Sequence, residues 1–226
     1  MVGKTALNKE MKHLNGAYFR TIIVYLRICK MEVFEQLIND KKLKTLRYEK
    51  EDVDFAKIIN PEKIECLEIA FCSLTSLFGI ACLSNLRRIS LYYCRFLQDI
   101  SNIGDLQMLE NITLYSLSQV EEHFNILKLA NLVALSYTRV NGIETIRGIE
   151  ELPKLIYLGL SQVKVKDNDY SPILQSKSLE RVFWCGSPFK VPALKELRKL
   201  RPDIVIGGNL YNEIYFAKKN KSNDNK

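Results

Sequence analysis

Residues 86–119 read LRRISLYYCRFLQDISNIGDLQMLENITLYSLSQ, and one pattern occurs twice within them. LRRISLYYCRF begins at Leu86 and LENITLYSLSQ begins 23 residues later at Leu109. Each window has apolar residues at its positions 1, 4 and 6, and the alternation at 4 and 6 predicts a short strand with both side chains on one face. The segment between the windows carries an apolar residue at every third position, which fits a 3₁₀ or short helical return: Leu97, Ile100, Ile103, Leu106 and Leu109.

The same 11-residue pattern extends in both directions from this stretch. Four more copies are IECLEIAFCSL from Ile64, LVALSYTRVNG from Leu132, LIYLGLSQVKV from Leu155 and LERVFWCGSPF from Leu179. The six starts are spaced by 22, 23, 23, 23 and 24 residues. Two looser copies precede them, at 43–53 and 23–33. A fixed period of this length is typical of a solenoid, in which each repeat packs only on its neighbours.

These windows resemble the leucine-rich-repeat family, whose template is L-x-x-L-x-L-x-x-N/C-x-L, and the rhythm is similar to internalin-type and phosphatase-regulator-type repeats. The resemblance implies an α/β solenoid: a horseshoe with a parallel concave β-sheet, 3₁₀ or short-helix convex returns, and caps at both ends. Position 9 of the template normally holds a polar residue at the turn after the strand. Cys72 and Cys94 fit this position, whereas Leu117, Val140 and Val163 do not, which leaves the geometry of their turns open.

The predicted organisation is one domain without an internal linker. Residues 1–22 form an N-terminal cap, 23–190 about eight repeats of which six are clear, and 191–217 a C-terminal cap. Residues 218–226, KKNKSNDNK, are predicted to be a disordered basic tail. This tail contributes +3 of the formal net charge of +7, so the remainder carries a mild excess of about +4.

Composition and motifs point away from several classes of protein. The chain has no apolar run of 18 residues and no secretory leader at its start, so we expect a cytoplasmic protein without a membrane span. Its six cysteines contain no C-x-x-C pair and lie mostly in apolar runs, which predicts free thiols. The two histidines match no metal-ligand spacing, and no nucleotide-binding or hydrolase motif occurs. We therefore predict no catalytic residue, no metal site, no cofactor and no enzymatic activity.

The template leaves positions 3, 5, 7 and 8 free of the core, so they are expected to face the concave side. The residues there are rich in tyrosine, phenylalanine and arginine, which dominate the energetics of protein interfaces. Aromatic residues are also favoured on exposed strands for cross-strand packing alone, and the two interpretations are compatible. The predicted partner-binding residues are Phe71, Arg88, Tyr92, Tyr93, Tyr115, Arg139, Tyr157, Arg181 and Phe183.

These residues favour a non-catalytic protein–protein interaction module that binds a partner with an acidic contact surface. An inhibitor or immunity protein and a regulatory subunit are two versions of this function between which the sequence does not choose. The alternative is single-stranded nucleic-acid binding through stacked aromatic rings and arginines. It is disfavoured because the basic residues do not form one dense groove and their order relative to the aromatic residues is irregular.

Overall fold

The computed structural model describes residues 45–50, 53–120, 124–141, 143–186, 189 and 193–207. The chain divides into two compact units, 1–42 and 43–226, and every described residue belongs to the second. The predicted N-terminal cap, the looser repeat at 23–33 and the basic tail therefore lie outside the described residues.

In the described part of the chain, eight short strands form one sheet in which each strand pairs in parallel with the next. This arrangement confirms the predicted leucine-rich-repeat solenoid with a parallel sheet. The strands are β1 (Thr45–Glu49), β2 (Cys66–Ala70), β3 (Arg88–Tyr92), β4 (Asn111–Tyr115), β5 (Ala134–Thr138), β6 (Tyr157–Ser161), β7 (Arg181–Cys185) and β8 (Val205–Gly207).

The strands pair without any stagger, so residues at the same repeat position are direct neighbours. Leu67, for example, pairs with Ile89, which pairs with Ile112. The side chains at positions 4 and 6 are buried from β2 to β7, as the alternation predicted, and Leu91 and Leu114 are fully inaccessible. They form one continuous core between the sheet and the return segments. On β1, Leu46 and Tyr48 are partly buried.

The return segments are mostly short 3₁₀ turns, and their apolar residues close the core from the other side. Leu97, Ile100, Ile103 and Leu106 are all buried, which confirms the meaning of their three-residue period. The 3₁₀ turns are Phe55–Lys57, Pro61–Lys63, Ile80–Cys82, Ser101–Asp105, Phe124–Lys128 and Ile149–Glu151. Two short α-helices follow: α1 (Ser171–Gln175) in the return after β6, and α2 (Ala193–Leu200) between β7 and β8.

One turn geometry ends every strand from β1 to β7. The residue at position 8 has a positive φ in each of these repeats, for example 58° at Phe71, 56° at Tyr93 and 52° at Arg139. In the first six of them its backbone N–H donates to the last carbonyl of the next strand, as Tyr93 does to Tyr115 at 3.0 Å. The turn is therefore the same in repeats with Leu117 at position 9 as in repeats with Cys94 there. A polar side chain at position 9 is not required for it.

An arginine fastens the C-terminal end of the described structure to the last return segment. Nη1 of Arg201 donates to the carbonyls of Ile173, Leu174 and Ser176 at 2.9, 3.0 and 2.8 Å, at the end of α1. Its Nη2 bonds to the carboxylate of Asp203 at 2.7 Å. One guanidinium thus satisfies three carbonyls that the short helix leaves without an intrahelical donor.

Within the described residues, the structure contains no helix that is both long and apolar enough to cross a bilayer. The described cysteines, which exclude Cys29, are free thiols. Cys72 and Cys94 occupy position 9, where each thiol lies near the carbonyl two residues before it, at 3.3 and 3.5 Å.

Candidate functional site

The side chains at positions 3, 5, 7 and 8 of β1 to β7 point away from the core, and we call this surface the strand face. It carries five basic and two acidic residues on the described strands, so its formal charge is +3 (5 − 2). The two acids are Glu49 and Glu68, and Glu68 accepts a hydrogen bond from Nε of Arg47 at 2.6 Å. The remaining basic residues are Lys50, Arg88, Arg139 and Arg181.

Four aromatic side chains from three adjacent strands form one group on this face, the aromatic cluster: Phe71, Tyr92, Tyr93 and Tyr115. The rings of Phe71 and Tyr93 stack nearly parallel, with centroids 4.8 Å apart and 5° between their planes. Tyr115 contacts both neighbouring tyrosines, at 5.0 Å from Tyr93 and 6.2 Å from Tyr92. The structure therefore brings together four of the nine predicted binding residues in one surface.

Exposure is uneven within the aromatic cluster. Tyr115, at its centre, is only 7% exposed, whereas Phe71 at its edge is 39% exposed and Tyr93 is half-buried. Burial, followed by the hydrogen bond with Tyr115, raises the pKa of the Tyr93 hydroxyl to about 12, although the nearby Arg139 acts in the opposite direction. Tyr115 thus supports the cluster from within, and Phe71 and Tyr93 present it to solvent.

Phe71, Tyr93 and Arg139 all occupy position 8, where the backbone is left-handed. Glycine or asparagine adopts this conformation with least strain, whereas a bulky side chain there costs of the order of 1 kcal/mol. Gly186 takes the same position after β7, so the turn itself accepts a glycine. The large side chains at Phe71, Tyr93 and Arg139 are therefore not required by the turn, and stacking offsets their cost only for the two aromatic residues.

A line of polar side chains runs beside the aromatic cluster at position 3. Arg88 on β3 and Asn111 on β4 are direct partners in the sheet, and Arg88 is only 8% exposed. The Cys66 thiol on β2 hydrogen-bonds with Arg88 and with Thr45, and burial raises its pKa despite the positive guanidinium. Arg88 was predicted from the sequence, but Asn111 was not among the predicted binding residues.

The other predicted residues lie at separate places on the strand face. Arg139 is exposed, and its Nε donates to Oε1 of Gln162 at 2.6 Å. Tyr157 is 8% exposed because its ring lies along its own strand. Arg181 and Phe183 are half-buried on β7, in the row positions that Tyr157 and Gly159 occupy on β6. All nine predicted side chains are thus on the strand face, but only the aromatic cluster unites several of them.

The sequence signal for Asn111 becomes visible only when the strands are aligned by register. At position 3, Asn111 lies between Arg88 and Ala134 in the sheet, so one neighbouring side chain is a long, positively charged arginine and the other is a methyl group. The Arg47–Glu68 pair follows the same logic, since both residues occupy position 5 of adjacent strands. Register predicts such cross-strand neighbours, whereas spacing along the chain does not.

Among the described residues, no group of three or more His, Cys, Asp or Glu side chains is placed to hold a metal ion. What the strand face offers instead is exposed aromatic area, an exposed guanidinium and a polar row with a positive charge.

Comparison with known proteins identifies the fold. No protein-family model matches the chain, and no curated protein matches it in sequence. Among solved structures, it is similar to internalin C2 from Listeria monocytogenes, with 21% identity, a TM-score of 0.54 and coverage of 65% of this chain and 62% of that one. It is also similar to a leucine-rich-repeat protein of Leptospira interrogans, with 17% identity, a TM-score of 0.51 and coverage of 77% of this chain.

The chain spans 62% and 52% of the lengths of these two proteins. At such identities the likeness establishes the architecture, and the chain has the leucine-rich-repeat fold. Function has to be argued from the side chains on the strand face, because one fold hosts many functions.

Proposed function

We propose that this protein is a non-catalytic protein–protein interaction module that binds its partner through the strand face. The observation that carries the proposal is the stack of Phe71 and Tyr93, two large side chains at a turn position that glycine occupies after β7. Rigid aromatic side chains that are partly buried before binding lose little entropy in a complex, so they suit an interface centre.

The charge of the strand face defines the partner further. With a formal charge of +3 and Glu68 already engaged by Arg47, this surface complements an acidic contact surface. Arg139, exposed beyond the aromatic cluster, suits a peripheral contact that contributes to the rate of association and to its salt dependence. An inhibitor or immunity protein that covers a partner enzyme, or a regulatory subunit, would both use such a surface.

The test replaces the two stacked rings by glycine, the residue that a left-handed turn position prefers. A Phe71→Gly, Tyr93→Gly double variant loses the stack but gains a strain-free left-handed backbone, so we expect its stability to stay within about 1 kcal/mol of the wild type. Ser116→Gly has the same position-8 geometry, with a φ of 55°, and removes only a small side chain, so it measures the backbone effect alone. Gln98→Ala, on a return segment, is the control for binding, since its side chain contacts only Gln119 among the described hydrogen bonds.

The binding measurement is affinity capture from the native host with each immobilised variant, followed by mass spectrometry. We expect a partner that the wild type and Gln98→Ala retain and that the double variant loses, with an affinity reduced by about 2 kcal/mol or more. If Gln98→Ala lost the partner while the double variant kept it, the return segments would be the binding surface.

Single-stranded nucleic-acid binding is the second candidate, because the aromatic cluster combines rings with a positive surface. The geometry favours it less, because Phe71 already stacks on Tyr93 and Tyr115 makes a tilted contact with it, so the Tyr93 ring is partly engaged within the protein. We expect no saturable binding of a fluorescent oligothymidylate at physiological salt. Binding that the double variant abolished would favour this candidate instead.

A further inference from the structure

Arg88 and Asn111 form a polar pair in the middle of the strand face. They are register partners on β3 and β4, and both side chains occupy position 3, away from the hydrophobic core. Asn111 is only 2% exposed, although its direct neighbour on the other side, Ala134, offers no polar group in its side chain. The two residues are therefore adjacent in the sheet and both side chains are largely buried, and the Arg88 guanidinium is also hydrogen-bonded to the Cys66 thiol on β2.

The two side chains have more hydrogen-bond donors than acceptors, since a guanidinium only donates and the carboxamide has one acceptor, Oδ1. Nδ2 of Asn111 has no hydrogen-bond partner among the residues that the structure describes. A buried donor left unsatisfied is destabilising, and native proteins rarely retain one without a reason. Arg88, the register partner of Asn111, adds a positive charge.

We propose that Arg88 and Asn111 bind a side-chain carboxylate, aspartate or glutamate, of the partner protein. A carboxylate only accepts hydrogen bonds, whereas guanidinium and amide nitrogens only donate, so the three groups are complementary. The positive charge excludes a cation from the same place. This inference rests on the proposed function, and it assigns the acidic character of the partner to one site.

The Tyr92 side chain lies on the same strand as Arg88 and bears on access to its guanidinium. The Tyr92 hydroxyl is hydrogen-bonded to Ser90 and lies within electrostatic range of Glu68, Cys66 and Arg47, so its ring extends back along β3 towards position 3. Burial, the largest influence on this group, raises the pKa of the Tyr92 hydroxyl. The Tyr92 side chain is only partly exposed, and a change of its rotamer, a fast motion for a surface side chain, would uncover β3 towards Arg88 for an incoming carboxylate.

The experiment uses a random peptide library displayed on phage, with each peptide fused through its C-terminus so that no free terminal carboxylate is present. Selection on the full-length wild-type protein is expected to enrich peptides with a recurrent Asp or Glu. A synthetic, C-terminally amidated copy should lose about tenfold or more in affinity when that residue becomes Asn or Gln.

Variants of the pair then assign the site. Arg88→Gln and Asn111→Ala should each reduce the affinity for the acidic peptide. The ratio of the affinities for the acidic and the neutral peptide should fall to about threefold or less. Arg95→Gln, an exposed residue of the same repeat outside the strand face, makes the same change in net charge and should leave the preference intact. A preference that fell equally in Arg95→Gln would reveal a general charge effect and overturn the assignment.

Asn111→Asp tests the pair even if Arg88→Gln does not fold. It places a carboxylate beside Arg88 within the protein, so we expect a higher melting temperature and loss of the preference for the acidic peptide. An unchanged preference in this variant would overturn the proposal.

The outcomes also separate this inference from the proposed function. Selected peptides that bind the wild type and not the Phe71→Gly, Tyr93→Gly double variant, but contain no recurrent acid, would refute the carboxylate site and leave the strand face as the binding surface. Acidic peptides that bind the double variant as tightly as the wild type but lose their preference in Asn111→Ala would support the carboxylate site and count against the role of the aromatic rings.

Discussion

The ring of Tyr157 lies directly over Gly159, two residues further along β6. A methyl group on Gly159 would be 3.2 Å from Cε1 of Tyr157, 3.1 Å from its hydroxyl and 2.8 Å from Oγ of Ser136 on β5. Both residues face the same side of the sheet, because side chains two apart in a strand point the same way. Gly159 therefore provides the space that allows a large tyrosine to be buried on a surface without a second layer.

Gly159→Ala is expected to displace the Tyr157 ring and to destabilise the protein by about 1–3 kcal/mol, the cost of an overpacked site. Glycine to alanine in a strand would otherwise be neutral or favourable. Urea unfolding measures the effect, and the same substitution in a Tyr157→Ala background should cost less by at least about 0.5 kcal/mol, because the ring contact no longer exists. Equal costs in the two backgrounds would mean that Tyr157 does not depend on Gly159.

Arg201→Lys tests the junction between the last return segment and the C-terminal strand. We expect a loss of about 2–3 kcal/mol in urea unfolding, since an ammonium group cannot bond to three carbonyls and a carboxylate at once. Asp203→Asn is the matched control, because its side chain is exposed and the three carbonyl bonds remain. A lysine variant as stable as the wild type would show that these carbonyls are satisfied without the guanidinium.

The Tyr93 hydroxyl should titrate late in alkaline solution. Its pKa of about 12 in the folded protein lies above the value of about 10 for an unfolded chain. The folded state therefore holds this proton more tightly, so its contribution to stability is complete below about pH 10 and is lost as the pH rises through about 12. Tyr93→Phe, which keeps the ring, should reduce the decline in unfolding free energy over this range.

Tyr115→Phe separates the two causes of that titration. Removing the hydroxyl that bonds to Tyr93 should lower the Tyr93 pKa only in part, because burial is the larger cause and persists. Ultraviolet titration of the phenolate, with circular dichroism to monitor the fold, gives the comparison. A Tyr93 titration identical to the wild type in this variant would contradict the hydroxyl–hydroxyl bond.

Met108→Asn should stabilise the protein. Asn85 and Asn131 stand immediately before position 1 of their repeats, and each Nδ2 donates to a carbonyl of the preceding repeat, Glu62 at 2.7 Å and Gln107 at 3.0 Å. Met108 has the same place in its repeat and is 48% exposed. An asparagine there would face the carbonyl of Ser84 and add about 0.5–1.5 kcal/mol. Met108→Ala, which lacks the donor, should show no gain.

The fold was predictable because burial at positions 4 and 6 follows from strand alternation alone. If Leu91, Leu114 and the equivalent residues of the other repeats faced solvent, the sheet would expose a continuous row of apolar side chains. The turn after each strand was less accessible to prediction, since it depends on a backbone N–H at position 8 rather than on the side chain at position 9. Leu117 could therefore replace a cysteine without any change in the turn.

The sequence predicted on which side of the sheet each candidate side chain lies, but not how exposed it is to solvent. Alternation correctly places Arg88, Tyr115 and Tyr157 on the strand face, yet all three are largely buried. What covers a side chain is decided by its neighbours across the sheet, such as the tyrosines beside Tyr115 and the missing side chain at Gly159. Their part in binding a partner stays a prediction, and Phe71 and Tyr93 are the better residues with which to test it.

The unstaggered pairing of the strands has a consequence for how this protein changes over generations. Every strand pairs with its neighbours through the same repeat positions. A recombination event that duplicates or deletes one whole repeat therefore leaves the strand pairing intact. Deletion of 132–154 would set Tyr115 beside Ser161 and Asn111 beside Tyr157, with no cut inside a strand. Gain or loss of one repeat thus changes which side chains are neighbours on the strand face in a single step. We expect homologues to differ first in the number and order of their repeats.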